Sequence, residues 1–167
     1  ITAQDIEAVT ILLLHTYAHP EMEQRVAKEL RKRLGKIPVT ESAHIWPERR
    51  EFERSLIAIM NAYVNPLMTA YLNLLIKRVE GLKIKAPIYI TANNGGTLSI
   101  DTARDRPIDT ILSGPASGVV AATQAAAVTG NKRLITVDMG GTSCDVAVTQ
   151  GGEPEYTTQT HVGDFPL

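Results

Sequence analysis

The chain has 167 residues, 44% hydrophobic and 21% charged, with 17 basic against 18 acidic side chains and a net charge of −1. That size suits one domain or one and a half, of ordinary globular composition. The balanced charge argues against nucleic acid or an anionic membrane as main partner, and the longest apolar runs fall far short of the roughly 20 residues that span a bilayer.

Residues 6–14 are an apolar run interrupted only by Glu7 and Thr10, which predicts a buried strand. His15, Thr16 and Tyr17 mark its exit. Pro20 suits a first helical position, with Glu21 and Glu23 in the positive first turn. Met22, Val26, Leu30 and Leu34 recur every four residues as the apolar stripe of that helix, which Gly35 ends. Residues 37–39 predict a second strand. Strand, helix and strand at this spacing form a βαβ-like unit and favour a parallel sheet.

From 48 to 80 the pattern is helical, with Phe52, Leu56, Met60, Tyr63, Leu67, Tyr71, Leu75 and Val79 as one apolar stripe. Arg49, Arg50, Glu51, Glu53 and Arg54 read as a solvated helix start with i,i+3 and i,i+4 pairs. Proline is poor in a helix interior and welcome in a first turn. Pro66 therefore predicts two helices, the second capped by Asn65 and closed by Gly81. Residues 86–92 predict a strand and Asn93-Asn94-Gly95-Gly96 a tight turn. Ser99 suits the cap of a short helical turn to about Arg104. Gly114-Pro115 opens a helix of small residues over 116–128, finished by Gly130, that can pack close to a sheet or a ligand. Two β-branched runs, 134–137 and 146–148, then flank a polar loop, and Gly151-Gly152 leads into a strand at 155–160. The composition changes most near 83–87, the best internal boundary.

The polar loop, Asp138-Met139-Gly140-Gly141-Thr142-Ser143-Cys144-Asp145, carries the most chemistry. Paired glycines let a backbone bend and approach a ligand. Successive N–H groups in such a turn can hold phosphate oxygens. An acid at each end suits a hydrated magnesium ion, which prefers oxygen ligands. The bland alternative is a hairpin whose acids close the turn by hydrogen bonds.

Three other segments offer chemistry of their own. Ser113, Gly114 and Gly118 lie in a helix start whose first N–H groups lack internal partners, an anion or nucleoside site, or simply a glycine-rich start chosen for close packing. Asn93, Asn94, Gly95 and Gly96 leave a strand where open α/β sheets bind ligands, and neutral amides suit a cyclic amide. A plain type I′ turn on Asn94-Gly95 explains the same letters. His15 at a strand exit is a weaker catalytic candidate beside a structural role. The single cysteine, Cys144, excludes an internal disulfide or a multi-cysteine metal site, and reads as a space-filler within the loop.

DMGGTSCDV, preceded by SGPASGVVAA and followed by GGEPEYTTQTHVGDFP, resembles the hydantoinase A/5-oxoprolinase family, as do LLLHTYAHPEMEQRV, EFERSLIAIMNAYVNPLM and the NNGG stretch. The resemblance covers nearly the whole chain, with the motifs in the family's order. It implies an α/β fold of the actin/sugar-kinase-like ATPase (ribonuclease H-like) type, a fragment with mixed sheets flanked by helices. Residues 1–82 would be the C-terminal part of the first actin-like domain plus a helical pair, and 83–167 the start of the second with its phosphate-loop hairpin. By the same resemblance Gly140, Gly141 and Thr142 would hold the phosphates of ATP. Asp138 would position Mg2+, Asp145 would sit behind it, and one of Arg49, Arg50, Glu51, Glu53 and Arg54 would face the cleft, where the family has a similar cluster. The substrate would be a hydantoin or oxoproline ring and the partner a hydantoinase B-type subunit, in the cytoplasm. Related ATP-dependent reactions on the same scaffold are ketone carboxylation, as in acetone carboxylase, and nucleotide-driven shape switching. Nothing here matches the family's first, N-terminal phosphate loop, so a central fragment with half of the nucleotide clamp is expected.

Overall fold

The computed structural model describes residues 5–156 and, for the backbone alone, 161–162 and 165–166. The chain forms two compact units, 1–86 with 104–108 and 159–167, and 87–103 with 109–158.

In the first unit β1 (Val9–Ile11) pairs in parallel with β2 (Val39–Glu41), Val9 opposite Val39, and α1 (Glu21–Leu34) makes the crossover. The βαβ unit forms as expected, but each strand is only three residues long. The first stops well short of Leu14, and the second begins at Val39 because Pro38 has no N–H to give to a ladder. Ile11, Ala27 and Val39 make the core, with Val9, Leu13, Leu30 and Leu34 against it. The α1 stripe is displaced from the one expected: Met22 and Val26 are exposed, while Glu23 and Ala27 face inward. Arg31 ties the end of α1 to β2, donating to the Val39 carbonyl (2.9 Å) and pairing with Glu41 (2.7 Å).

A short helix, α2 (Ser42–Ile45), leads to α3 (Glu51–Gly81), a single 31-residue helix that passes through Pro66 without ending. The expected pair of helices is thus one. A proline inside a helix costs about 3 kcal/mol, and tertiary contacts on both sides of Pro66 oppose that loss. Asn65 Nδ2 donates to the Arg104 carbonyl (2.8 Å), and the Arg104 guanidinium donates to Asn73 Oδ1 (3.1 Å). One turn earlier, Asn61 accepts from the Ile108 N–H (3.2 Å) and donates to the Asp105 carbonyl (3.3 Å). Asn65 is therefore a strap for segment 104–108, not a cap. The inward face of α3 consists of Arg54, Ile57, Ala58, Asn61, Ala62 and Leu72. Phe52, Tyr63, Leu67 and Tyr71 of the expected core stripe lie on the opposite, exposed side.

In the second unit β3 (Tyr89–Thr91) and β4 (Thr97–Ser99) form an antiparallel hairpin. Ser99 caps α4 (Ile100–Asp105), its hydroxyl accepting the Thr102 N–H at 3.1 Å. After a 3-10 turn (Pro107–Thr110), α5 (Ser113–Val128) starts three residues earlier than expected. β5 (Leu134–Met139), β6 (Cys144–Gln150) and β7 (Glu153–Pro154) complete an antiparallel sheet. Of the strand expected at 155–160, Glu155 and Tyr156 are irregular and 157–160 lie outside the described residues. A last antiparallel pair, β8 (His161–Val162) with β9 (Phe165–Pro166), belongs to the first unit.

Candidate functional site

The β5–β6 register sets Asp138 directly opposite Asp145, with Met139 opposite Cys144 closing a four-residue loop. Side chains alternate between faces. Leu134, Thr136, Asp138, Asp145, Ala147 and Thr149 share one face; Ile135, Val137, Met139, Cys144, Val146 and Val148 share the other. α5 packs on the first face, burying Thr149 and half-burying Leu134, Thr136 and Ala147 at the hairpin base. The two acids lie higher on that same face and are exposed. Cys144 is on the opposite face with an exposed thiol, so it fills no space and does not share a side with the acids.

Within the loop, the Gly140 N–H donates to the Ser143 carbonyl at 2.9 Å. Neither Gly140 nor Gly141 has a positive φ. A β-carbon would meet only the Ser143 carbonyl at 3.8 Å from Gly140, and nothing within 4 Å from Gly141. The fold itself therefore gives no reason for glycine at either position. The space a side chain would take at either glycine is open.

α5 begins after Leu112, whose left-handed backbone (φ 63°) supplies no side-chain cap. Pro115 stands in the first turn, where its missing N–H costs nothing. A β-carbon at Gly114 or Gly118 would meet nothing within 4 Å. Close packing thus explains neither glycine among the described residues.

The 93–96 turn departs from the type I′ expectation. Asn93 and Asn94 keep negative φ, the Ala92 carbonyl accepts the Gly95 N–H (3.0 Å), and Gly95 takes φ +77°. This is a type I turn with a glycine bulge. Asn94 Oδ1 accepts the Gly96 N–H (2.9 Å), and the Asn93 N–H donates to the Asp109 carbonyl (2.7 Å). A β-carbon at Gly95 would fall 2.5 Å from Val120 Cγ2 and 3.8 Å from the Ala116 carbonyl. Gly95→Ala should therefore destabilise the second unit by about 1–3 kcal/mol, from the left-handed backbone and the contact together. Gly118→Ala, with open space around it, should not. Denaturant unfolding of the two variants checks this, and equal midpoints would remove the contact.

The structure thus brings the 93–96 turn against the N-terminal half of α5. β5, β6 and β7 pack against the same helix. Among the described residues no hydrogen bond joins the 140–143 loop to the 93–96 turn or to the start of α5.

The first unit also holds a polar cluster that no local sequence pattern marks. Glu23 and Arg54 are both fully buried. Glu23 Oε1 accepts the Leu13 N–H (2.9 Å) and the Ser42 hydroxyl (2.7 Å), and Oε2 the Ala43 N–H (2.9 Å). The buried Thr16 hydroxyl lies 2.7 Å from Oε1 and 2.9 Å from the Leu13 carbonyl, and its one proton serves either. Arg54 donates to Ser42 Oγ (3.1 Å), the Glu48 carbonyl (2.8 Å) and the Leu13 carbonyl (2.9 Å). Burial alone would push the Glu23 carboxyl up, but the hydrogen bonds from Ala43, Thr16, Leu13 and Ser42 together hold it below the ordinary value. Arg54 is accordingly not part of a solvated helix start. Only the fold shows this, because an acid in a first turn and an arginine one turn into a helix are unremarkable letters.

The sequence profile described as hydantoinase/oxoprolinase matches residues 54–167. The chain is 32% identical over 154 residues to the caprolactamase subunit alpha of Pseudomonas jessenii, covering 92% of this chain and 22% of that protein. It is 33% identical over 158 residues to 5-oxoprolinase 1 of Arabidopsis thaliana, covering 94% and 12%. The nucleotide-free structure of acetone carboxylase, from work on ATP-dependent acetone carboxylation, superposes with a TM-score of 0.84 at 33% identity, over 99% of this chain and 24% of that one. The chain spans less than a quarter of the length of each.

Proposed function

Because this chain belongs to the hydantoinase/oxoprolinase family, we propose that it forms part of an ATP-dependent enzyme that opens a cyclic amide through phosphoryl activation of its carbonyl oxygen. The observation that carries this reading is the Asp138–Asp145 pair beside an open glycine loop. Like charges directly opposed on a sheet destabilise it. A bound cation would turn that repulsion into attraction, and the acidic oxygens fit the hard oxygen-ligand preference of magnesium.

In this reading Gly141 and Thr142 hold phosphate oxygens through backbone N–H groups and the Thr hydroxyl, and Gly140, whose N–H closes the turn on Ser143, leaves room for them. Asp138 positions the metal or its waters, and Asp145 supports it across the ladder. Ser113, Gly114 and Gly118 border the nucleotide from the start of α5, on the side of the hairpin that carries the acids. When bound, ATP and magnesium supply an electrophilic phosphoryl group and neutralise the charge on it. An unstrained lactam resists water because its carbonyl is amide-stabilised. Transfer of the γ-phosphoryl group to the oxygen, with ADP leaving, would make the carbon open to water; the ring C–N bond would then break to leave an acyl phosphate, and a second water would release phosphate and the free acid. The protein's share of such a step is positioning and electrostatic stabilisation.

Caprolactamase is named for a lactam and for separate subunits, which supports a cyclic-amide substrate and a hydantoinase B-type partner here. The acetone carboxylase likeness supports a second reading, in which the same scaffold activates a ketone for carboxylation. The test is ATP hydrolysis by the full-length protein with hydantoin, N-methylhydantoin, 5-oxoproline and caprolactam, or with acetone and bicarbonate, followed by product analysis. A ring-opened acid supports the first reading and a carboxylated ketone the second. ATP turnover indifferent to every one of these compounds would sink both.

A further inference from the structure

The turn that leaves β1 carries a second cluster of chemically capable side chains. His15 takes φ 63°, a left-handed conformation that costs energy for any residue with a β-carbon. The turn is pinned from beneath: Thr16 is buried beside Glu23, the Leu13 N–H is held by Glu23, and the Leu13 carbonyl by Arg54. These three anchors oppose relaxation of the strain at His15.

Above the anchors His15 and Arg49 are exposed, and Tyr17 and Glu51 are half-buried. The Tyr17 ring meets the His15 ring edge-on at 6.5 Å, and the Arg49 guanidinium lies 5.7 Å over the Tyr17 ring. Glu51 accepts the His15 N–H at 3.4 Å. Residues more than thirty positions apart thereby share one patch, beside the carboxyl end of β1, the edge at which open α/β sheets take ligands.

The chemistry of the patch selects among ligands. Arg49 is a donor only, and ionised Glu51 an acceptor only. Their charges cancel, which disfavours a net anion or cation. The aromatic pair beside them favours something flat. A lactam is flat and neutral, with a C=O acceptor and an N–H donor side by side on the ring. We propose that His15, Tyr17, Arg49 and Glu51 form a binding site for a neutral cyclic amide, Arg49 donating to the ring carbonyl and Glu51 accepting the ring N–H. This names a site for the substrate class and rests on the reading that the protein acts on cyclic amides.

Ligand-observed NMR on the full-length protein without nucleotide tests it, with 2-pyrrolidone as probe. Saturable binding is expected, weakened at least about tenfold by N-methylation of the probe and by Arg49→Ala, and less by Arg49→Lys. ATP affinity should be unchanged in both variants, and circular dichroism should show both folded, since Arg49 is exposed. The absence of saturable binding to the parent overturns the site, as does equal binding by Arg49→Ala. Ring-opened 4-aminobutyrate binding as well as 2-pyrrolidone would overturn the neutral-amide assignment. ATP turnover stimulated by a lactam in the parent, with Arg49→Ala unaffected, would leave the proposed function standing and remove this site alone.

Discussion

Asp138→Asn is expected to lower ATP turnover of the full-length protein by at least about a hundredfold, in the range seen when a group stabilising transition-state charge is removed. Folding stability should stay level or rise by a few tenths of a kcal/mol. The side chain is exposed, its shape is kept, and the substitution ends a like-charge opposition with Asp145. Gly141→Val separates the phosphate role from structure in a different way. Its backbone is not left-handed and a β-carbon there meets nothing, so the fold should tolerate it. Phosphate approach to that stretch of backbone would be blocked and turnover lost. Steady-state ATPase rates beside denaturant midpoints give both quantities. An Asp138→Asn enzyme within about twofold of the parent would have lost less than roughly 0.4 kcal/mol of barrier stabilisation, and the metal-positioning role would be wrong.

Arg54→Ala is expected to cost the first unit about 3–5 kcal/mol, the range for breaking a buried charged network by removing one member. The loss would leave the Leu13 and Glu48 carbonyls and the Ser42 hydroxyl each short of a buried donor. Glu23→Ala should cost a similar amount, stranding the Leu13 and Ala43 N–H groups. Because both act through Ser42, the double variant should be less destabilised than the sum, by about 0.5–3 kcal/mol. The network also sets a pH dependence. The folded Glu23 carboxyl sits below its ordinary value of 4.5, so its contribution is fully present above that pH. It is lost as pH falls through the depressed folded value, because the unfolded chain then binds the proton first. Urea unfolding at pH 7 and near pH 3 should show the parent losing stability that Glu23→Ala no longer has to lose. Additive single variants, or an Arg54→Ala protein as stable as the parent, would mean the network is not what holds the 14–18 turn.

Much of the fold and of the phosphate-loop candidate was readable from local patterns. β-branched runs on either side of a Gly-Gly loop gave the β5–β6 hairpin, and period-two pairing then set Asp138 opposite Asp145. Apolar strands around an amphipathic segment gave the parallel βαβ unit, and Ser99 gave the α4 cap. These features depend on residues near each other in sequence, where propensity and spacing carry the information. The family resemblance likewise rests on short motifs in order, and the profile match over 54–167 agrees with it.

Tertiary structure alone decided which side of each helix is inside. Apolar periodicity marked a stripe on α3 that begins at Phe52 and passes Tyr63 and Tyr71, yet these are exposed, Tyr63 by 76%. The buried side carries Arg54, Asn61 and Asn65 because backbone groups of residues 13, 48, 104, 105 and 108 need partners there. Those needs arise from chain segments up to 47 residues away, so no local window contains them. The same contacts carry α3 through Pro66, against local propensity. They also hold the turn after β1, where the Tyr17 ring meets Arg49 and the His15 N–H meets Glu51. A polar side chain is inside wherever a distant backbone group would otherwise go unpaired, and only the folded chain says where that is.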